Sequence, residues 1–455
     1  MTQCLFIFRR DLRIKDNTGL DYAMDNYDKV IPIFIFTPEQ IDKNSFFSEN
    51  SVQFMCESLK HVNKSLRKEG SKLHIFRGDN IDVLKKINKQ KKIDAIIFNM
   101  DYTPYAKKRD KKIEKFGEEN NIDVIKLEDY LLSNIGDLNK KDGTPYEIFT
   151  PFKNNALEKK VRKPNRKLIK NVVTSNLKTN KMISYVENSN LSVNGGRKNG
   201  LKILKGLKKY NEYDKKRNCL DYNTTRLSAY IKYGCVSIRE VYYKIKKTFG
   251  KKDGLMAQIY WREFYFYIAY YYPEVLEGKN FNKKYDNIKW ETNKTNYKKW
   301  AQGKTGYPVV DAGMNELNTT GYMHNRARLI TSNFLNRLLG YHWTLGEKYF
   351  ARQLVDYDPS VNNGNWQWIA STGVDPKPYF QRLFNPIIQS EKFDPDAEYI
   401  KKWCPELKEI KPSHLHNWEK YYKLYDLKDY PDPIVEYKKA REKSVKMYRK
   451  VLKKK

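Results

Sequence analysis

Two rhythms of apolar and polar residues divide the chain. Up to about residue 130, short apolar runs alternate with amphipathic stretches, and we interpret five of the runs as fully buried strands: CLFIF, VIPIFIF, LHIF, DAIIFNM and IDVIKL. Between them lie segments such as SVQFMCESLKHVNKSLRKEG, which has apolar residues at helical spacing and a helix stop at Gly70. This alternation predicts an α/β domain over residues 1–130, built on a doubly wound parallel sheet.

The second rhythm begins after a break. Residues 131–200 are rich in turn formers and positive charge, which predicts a long connector. Beyond residue 200, strand-like alternation disappears, and long helical patterns such as GLMAQIYWREFYFYIAYYYPEVL take over. We therefore predict an all-α domain over residues 201–455. The α/β half contains no GxGxxG motif, so a dinucleotide site of the usual kind is not expected there.

The charge balance indicates a partner. Lys and Arg number 87 against 54 Asp and Glu, a formal net charge of +33. A surplus of this size favours a polyanionic partner, with nucleic acid first and an anionic membrane surface second. Lysines used only for solubility are the alternative, so the charge identifies no site by itself.

Cysteines, histidines and hydropathy exclude several other classes. The five cysteines are scattered without a CxxC, which argues for a reducing compartment and against a disulfide framework. His414 and His416 form the one close histidine pair and lack further ligands, so no metal site is expected. We find no signal peptide and no run of about 20 apolar residues. The expectation is a soluble intracellular protein, cytoplasmic or nuclear depending on its host.

The segment NNGNWQWIASTGVDPKPYF places two tryptophans one residue apart. In a helix, residues i and i+2 point about 200° apart, so Trp366 and Trp368 cannot serve one surface. Asn362 lies four residues before Trp366 and would share its face. Two aromatic residues filling different parts of a core would be the simplest explanation of such a pair.

Other predicted helices carry polar groups among aromatic ones. Gln258, Trp261 and Tyr265 fall at i, i+3 and i+7, a face that suits stacking on an aromatic ligand and bonding to its edge. Asn325 and Arg328 share a second face, and Asp356 and Asp358 are candidate partners for Arg328. Hydroxyls and further cations that suit a phosphate-bearing ligand come from Tyr213, Arg217 and TTRLS (224–228). Together these residues predict a helical pocket for a flavin-like cofactor, open to a polyanion.

Longer motifs resemble one known family. FRRDLRIKDN, DYTPYAKKRD, EDYLL, TPF, TTRLSAYIKYG, YWREFY, GKTGYPVVDAGMNEL, TGYMHNRAR and DYDPSVNNGNWQWIASTGVDPKPYFQRLFNP are similar to the photolyase/cryptochrome family, in its order and over nearly the whole chain. The resemblance implies an α/β antenna domain followed by an all-α domain that binds FAD. Members of the family use blue light to transfer an electron from reduced flavin into a pyrimidine dimer in UV-damaged DNA.

The resemblance also implies roles for single residues. The FAD contacts would be Tyr213, Thr224, Thr225, Arg226, Leu227, Ser228, Arg328, Asp356, Tyr357, Asp358 and Asn362, with Asn362 near the flavin nitrogen that exchanges a proton. Trp366, Trp343 and Trp290 would form a relay that carries electrons from the surface to the flavin. The contacts to damaged DNA would be Arg217, Gln258, Trp261, Tyr265, Asn325, Arg326 and Trp368. Trp366 would then face the flavin and Trp368 the lesion, with Gln258 at the reacting bases.

Within the family, the chain is most like the class I cyclobutane dimer photolyases. Enzymes for the (6-4) photoproduct have a histidine pair at the positions of Asn325 and Leu329, and neither residue is His here. Plant-type cryptochromes have Asp at Asn362, and DASH-type cryptochromes usually have Tyr at Trp368. Two positions depart from the class I pattern: Gln258 replaces the usual Glu, and Leu329 replaces the usual Met.

Two alternatives stay open at this point. Gln258 is the common residue in (6-4) enzymes, so a (6-4) photolyase is one of them. The other is a blue-light sensor without repair activity, although the short basic tail YKKAREKSVKMYRKVLKKK looks more like an aid to DNA binding. The sequence does not select an antenna chromophore, for which a folate or a deazaflavin is expected. A monomer is expected, because a cavity that faces DNA needs no second subunit.

Overall fold

The structure is a computed structural model that describes residues 1–42, 44–165, 167–251 and 253–452. Its first part alternates strands and helices. The elements are β1 Gln3–Ile7, α1 Thr18–Asn26, β2 Lys29–Phe36, α2 Pro38–Ile41, α3 Glu49–Lys68, β3 His74–Arg77, α4 Asn80–Gln90, β4 Ala95–Asn99, α5 Pro104–Asn120 and β5 Asp123–Leu127.

The five strands form one parallel sheet in the order β3-β2-β1-β4-β5. β1 lies at the centre, with Leu5 opposite Ile31 of β2 and Ile96 of β4. The chain order reverses at β1, so the carboxyl ends of β1 and β4 flank the crevice where doubly wound sheets bind ligands. The predicted doubly wound sheet is confirmed.

One strand differs from its prediction. The IDVIKL run was predicted to be fully buried, but every residue of β5 is half-buried or exposed. β5 is an edge strand, and α5 covers it closely where Gly117 meets Val124. An edge strand buries less of its surface than a central one.

The rest of the chain is helical. The α-helices are α6 Phe149–Glu158, α7 Arg197–Lys205, α8 Tyr213–Lys216, α9 Ser228–Lys232, α10 Ile238–Phe249, α11 Gly254–Tyr271, α12 Thr295–Ala301, α13 Pro308–Thr320, α14 Asn325–Asn333, α15 Trp343–Gln353, α16 Pro359–Ala370, α17 Pro386–Phe393, α18 Glu398–Trp403, α19 Pro412–His416, α20 Trp418–Tyr421 and α21 Tyr437–Leu452. A π-helical turn, Phe334–Leu338, follows α14. Short 3₁₀ turns lie at Leu207–Tyr210, Pro273–Glu277, Lys283–Tyr285, Tyr379–Arg382, Pro405–Leu407 and Tyr422–Leu424.

The predicted connector at 131–200 is more ordered than its composition suggested. It contains α6, whose Phe152 is fully buried against Phe264 and Tyr267 of α11. Pro151 sits in the first turn of α6, where a missing amide hydrogen costs nothing. Farther along the connector, Val172 forms a short parallel β-bridge with Val30 of β2. The connector therefore packs on both halves of the molecule, and the boundaries at 130 and 200 stay predictions.

The two halves share one continuous apolar core. Phe54 of α3 packs against Tyr230 and Tyr233, with ring centroids 5.2 and 5.1 Å apart. Below them, Arg239 of α10 reaches Asp16 at 2.9 Å and Asp129 at 2.7 Å, both fully buried in the α/β half. Buried ion pairs of this kind hold a contact in one geometry.

Candidate functional site

Helix α16 stands at the centre of the candidate site. Asp358 caps it by accepting hydrogen bonds from the amides of Ser360 and Val361 at 3.0 and 3.2 Å. Asp358 was predicted as a second partner of Arg328, and this prediction is wrong: its carboxylate pairs with Arg10 of the α/β half. Asp358 thus links the start of α16 to the loop that follows β1.

The Trp366 side chain points from α16 into the core. It is 2% exposed, and its ring lies 4.9 Å from Phe350 and 6.3 Å from Trp300. Gly346 of α15 makes room for the indole, because a Cβ atom there would lie only 2.1 Å from its Cη2. Trp366 therefore packs on α15 one helical turn after Trp343.

Trp343, His342 and Trp290 form a separate row of aromatic rings, and the ring contacts of Trp366 are to Phe350 and Trp300. Trp343 is fully buried and donates its indole N–H to Asn280 at 2.8 Å. His342 lies 5.3 Å from Trp343 and 5.2 Å from Trp290, centroid to centroid, and Trp290 is half-buried. His342 was not singled out from the sequence, although its position beside Trp343 was a usable signal.

The Trp368 side chain lies on the opposite side of α16. It is half-buried, and the Arg382 guanidinium lies over its ring at 3.9 Å from the centroid. Arg382 also donates to the Trp368 carbonyl at 2.9 Å. The two tryptophans thus have different surroundings: aromatic rings for Trp366 and a cation for Trp368.

Helix α11 brings a further tryptophan to the site. Trp261 is half-buried and stacks on Phe149 of the connector, with centroids 3.6 Å apart and planes 10° apart. Gln258 is also half-buried, and its side chain makes no hydrogen bond to a described residue. Phe149 covers one face of Trp261, and the unbonded Gln258 amide is available to a ligand.

Tyr265 of the same helix is more deeply buried than Trp261 and Gln258. It is 4% exposed and packs on Gly364 of α16, where a Cβ atom would lie 2.1 Å from the tyrosine ring. The prediction of a DNA contact for Tyr265 is corrected, because the side chain has no surface to offer. It fixes the close crossing of α11 and α16.

A polar cluster lies beside α16. Arg328 of α14 donates from one nitrogen (Nη2) to both oxygens of Asp356, at 3.1 and 3.0 Å, and Ser228 donates to the same carboxylate at 2.6 Å. The predicted Arg328–Asp356 pair is present, and Ser228 joins it from the TTRLS segment.

The TTRLS segment forms a strained turn. Arg226 adopts a left-handed conformation (φ 51°), and its guanidinium lies 5.3 Å from the Tyr322 ring centroid. Thr224 bonds to the Tyr322 hydroxyl at 3.3 Å, and the Thr225 hydroxyl accepts from the Leu227 amide at 3.4 Å. A non-glycine residue held in this region is a feature of binding loops.

A cavity of about 390 Å³ adjoins this turn, lined by Thr224 and Arg226 among others. His324 Nδ1 accepts from the Arg326 amide at 3.1 Å, so Nε2 carries the proton, and this N–H and the Tyr222 hydroxyl have no partner among the described residues. Burial, with Arg328 nearby, lowers the pKa of His324 to about 4, so the ring is neutral at pH 7. Unmatched donors beside an arginine fit the oxygens of a dinucleotide.

The remaining predicted cofactor residues lie around this cluster. Asn362 is half-buried and donates to the Glu347 carbonyl at 3.2 Å. Tyr357 stacks on Phe46 of the α/β half, which commits one face of its ring to that contact. Tyr213 is half-buried, and burial raises its pKa to about 12. These three side chains are neutral at pH 7.

The predicted polar DNA contacts lie towards the surface. Asn325 is exposed, and Arg217 is half-exposed. Arg326 donates to Asn218 at 2.7 Å and covers the Phe393 ring at 4.3 Å. Burial lowers the pKa of Arg326, and the positive charge of nearby Arg217 lowers it further. An anion bound between the two arginines would offset their mutual repulsion.

A second polar cluster lies where β1 and β4 end. Arg9 stacks on Phe98 at 3.6 Å, and Arg109 donates to Asp110 at 2.8 Å. Arg9 Nη1 lies 2.9 Å from an oxygen of Asp110 without forming a well-aligned hydrogen bond, and the Nη2 atoms of Arg9 and Arg109 are buried without a partner among the described residues. Unmatched guanidinium N–H groups at the crevice of a doubly wound sheet indicate a polar or anionic ligand.

The described residues hold no group of three or more His, Cys, Asp or Glu side chains that could bind a metal ion. In the same part of the chain, no helix combines the length and the apolar character needed to cross a bilayer.

Comparison with known proteins identifies the family. Residues 4–168 match the family described as DNA photolyase, and residues 255–450 match the FAD binding domain of DNA photolyase. The chain is 34% identical to a deoxyribodipyrimidine photo-lyase of Buchnera aphidicola from Acyrthosiphon pisum, over 99% of this chain and 97% of the relative. It is 31% identical to the Escherichia coli K12 protein of that name, over 98% of each chain. The chain belongs to the photolyase/cryptochrome family.

Solved structures of this family share the whole fold. An archaeal photolyase from Sulfolobus tokodaii, described with two FAD molecules and a novel light-harvesting cofactor, is 41% identical and superimposes with a TM-score of 0.89 over 99% of this chain and 100% of its own. A Synechocystis cryptochrome is 27% identical, with a TM-score of 0.86 over 98% and 99%. The photolyase-type helical domain of this chain binds FAD, as the sequence predicted.

Proposed function

We propose that this protein is a light-dependent repair enzyme that splits cyclobutane pyrimidine dimers in DNA. The observation that carries the proposal is the separation of Trp366 and Trp368 on α16, one inside an aromatic core and one at a half-open surface. Relatives named deoxyribodipyrimidine photo-lyase, matched over the full length, support it. When bound, reduced FAD excited by blue light supplies the electron that opens the dimer and recovers it afterwards.

In this proposal the polar cluster holds the cofactor. The TTRLS turn and the cavity beside it would hold the phosphates, and the Arg328–Asp356 pair would bind polar atoms of the ring system. Asn362 offers an amide next to the ring, and an amide cannot donate a proton as a carboxylic acid can. Asn362 would therefore leave the reduced flavin without a proton donor at this position, which would favour its anionic form.

The lesion would lie between Trp261 and Trp368. A dimer inside a duplex must be extruded, and a poorly stacked damaged pair costs less to extrude than an intact one. The half-buried rings of Trp261 and Trp368 would offer apolar walls, and Gln258 would offer an amide to the base edge. Arg217, Arg326 and Asn325 would contact the backbone, which gives salt-sensitive binding without sequence preference.

Binding of dimer-containing DNA in the dark tests this assignment. Trp368→Ala should weaken binding of a duplex with one thymine dimer by about 1–3 kcal/mol, the value of one base–aromatic stack. Retained FAD absorbance and unchanged binding of undamaged duplex are the controls. Unchanged affinity for the dimer duplex would remove Trp368 from the lesion site.

A second candidate function follows from Gln258. Gln can hydrogen-bond a base but cannot act as an acid, and it is the residue common in enzymes for the (6-4) photoproduct. Asn325 and Leu329 argue against that activity, because neither can donate a proton as a histidine would. The proposal therefore keeps dimer repair first.

The cluster at the ends of β1 and β4 is proposed as an antenna site. The unmatched Nη2 groups of Arg9 and Arg109 support a ligand with phosphate or other anionic oxygens there. A flavin is a third candidate chromophore beside the folate and the deazaflavin expected from the sequence, because the Sulfolobus tokodaii relative is described with two FAD molecules. Denaturing the purified protein and measuring the ratio of released chromophores to protein tests this. A ratio of one FAD with nothing else would contradict it.

A further inference from the structure

Two tryptophans of α16 lie close to the proposed flavin site, and each could give up an electron to an excited oxidant. The structure distinguishes them by charge. Trp366 is surrounded by Phe350 and Trp300, and no cation of the described residues lies over its ring. Trp368 has the Arg382 guanidinium stacked on its rear face at 3.9 Å.

Arg382 is held firmly in this position. It is 2% exposed, donates one nitrogen to the Trp368 carbonyl and another to the Asp375 carbonyl, and has a carboxylate oxygen of Asp375 at 3.8 Å. Its Nε has no partner among the described residues. Burial lowers the pKa of Arg382 to about 10, so it remains cationic at neutral pH. A buried cation with one nitrogen unmatched is costly to keep, which favours a role beyond packing.

We propose that Arg382 is a positioning residue that keeps Trp368 from being oxidised and draws negative charge towards a ligand on its outer face. A cation on one face of an indole stabilises the neutral ring, whereas a positive charge on the ring itself would be repelled. Removing an electron from Trp368 then costs more than removing one from Trp366. The same cation attracts an added electron on a dimer stacked against the other face. This inference rests on the proposed placement of the lesion against Trp368.

Two variants separate charge from packing. Arg382→Lys keeps a cation on a flexible stem, and Arg382→Met keeps a stem of similar length without charge. Near-UV circular dichroism and FAD absorbance should show that both fold and load.

The first readout uses the protein stripped of FAD. Azide radicals, which are neutral one-electron oxidants, would be generated by pulse radiolysis, and oxidation at Trp368 would be quantified by peptide mapping. Trp403, which has Lys402 over its own ring at 5.0 Å, serves as an internal reference. Oxidation of Trp368 should rise severalfold in Arg382→Met and stay near the wild-type level in Arg382→Lys. Equal oxidation in the two variants would overturn the proposal.

The second readout uses the FAD-loaded protein and dimer DNA. Binding in the dark should be similar in the two variants, because the dimer bases carry no charge before light and the DNA phosphates would be bound by Arg217 and Arg326. Repair per absorbed photon at saturating DNA should be severalfold lower in Arg382→Met than in Arg382→Lys. Equal losses in both would make Arg382 a structural support only. If the wild type repairs no dimer, the proposed function fails, while the oxidation experiment still decides the role of Arg382.

Discussion

At the scale of single residues, we propose Trp366 as the member of the tryptophan relay nearest the flavin, followed by Trp343 and Trp290. Trp366→Phe keeps an aromatic ring against Gly346 but removes the easily oxidised indole. Light-driven reduction of oxidised flavin should fall by about tenfold or more, at least about 1.4 kcal/mol in barrier height. Repair by chemically reduced enzyme should be spared, as followed by thymine recovery.

The control for this variant is Trp300→Phe. Trp300 also contacts Trp366, but its N–H is bound to the Thr331 carbonyl at 2.9 Å and it lies outside the path to Trp290. Flavin photoreduction should persist in this variant. Equal loss of photoreduction and repair in Trp366→Phe would contradict the relay.

Glu347 gives the site a pH dependence. It is 7% exposed, and burial raises its pKa from 4.5 to about 7, although Asn363 donates to it at 3.1 Å. Because the folded protein holds this proton more tightly than the unfolded chain, its contribution to stability is full below pH 4.5 and is lost as pH rises through 7. Glu347→Gln should therefore stabilise the protein at pH 8 relative to pH 5, by up to about 3 kcal/mol. Urea unfolding of both proteins at both pH values measures this, and a difference of zero or opposite sign would refute it.

At the scale of elements, the site depends on how closely α11 and α16 cross. Gly364 lies in regular helix, and a methyl group there would meet the Tyr265 ring at 2.1 Å. Gly364→Ala should destabilise the protein by about 1–3 kcal/mol through overpacking, despite the better helix propensity of alanine, and should release FAD. Gly206→Ala is the matched control, because the nearest atom to its new methyl group would lie at 3.6 Å. FAD retention during urea unfolding would be measured for both variants. Similar unfolding curves for Gly364→Ala and Gly206→Ala would mean that α11 and α16 do not cross tightly.

Elements were predictable from the sequence where the pattern was local. The apolar runs located the strands, and the long pattern GLMAQIYWREFYFYIAYYYPEVL located α11, whereas a helix at Trp366 was an assumption that the structure confirms. The exposure of β5 was not predictable, since its edge position depends on strand order. Phe149 behind Trp261 and Arg382 behind Trp368 were also missed, because these contacts join segments that are far apart in sequence or lie in a loop without periodicity.

At the scale of the whole molecule, Arg10 joins the two halves. Its guanidinium bonds to Asp101 at the end of β4 and to Asp358 at the start of α16. Arg10→Met would leave two largely buried carboxylates without their cation and should cost about 3–5 kcal/mol of unfolding free energy. Arg77→Met is the control, because the exposed Arg77–Asp42 pair is worth about 0–1 kcal/mol. Equal midpoints in urea for the two variants would show that Arg10 does not couple the halves.

For the whole molecule, the central proposal is that the protein repairs cyclobutane dimers, with the lesion held by Trp261 and Trp368. The most direct measurement mixes dark-reduced protein with duplexes carrying either one cyclobutane thymine dimer or one (6-4) photoproduct and assays restored thymines after blue light. The account predicts repair of the dimer alone, with Gln258 tolerated in place of an acid. Repair of the (6-4) photoproduct, or no repair by FAD-loaded protein, would contradict it, the latter favouring a light sensor.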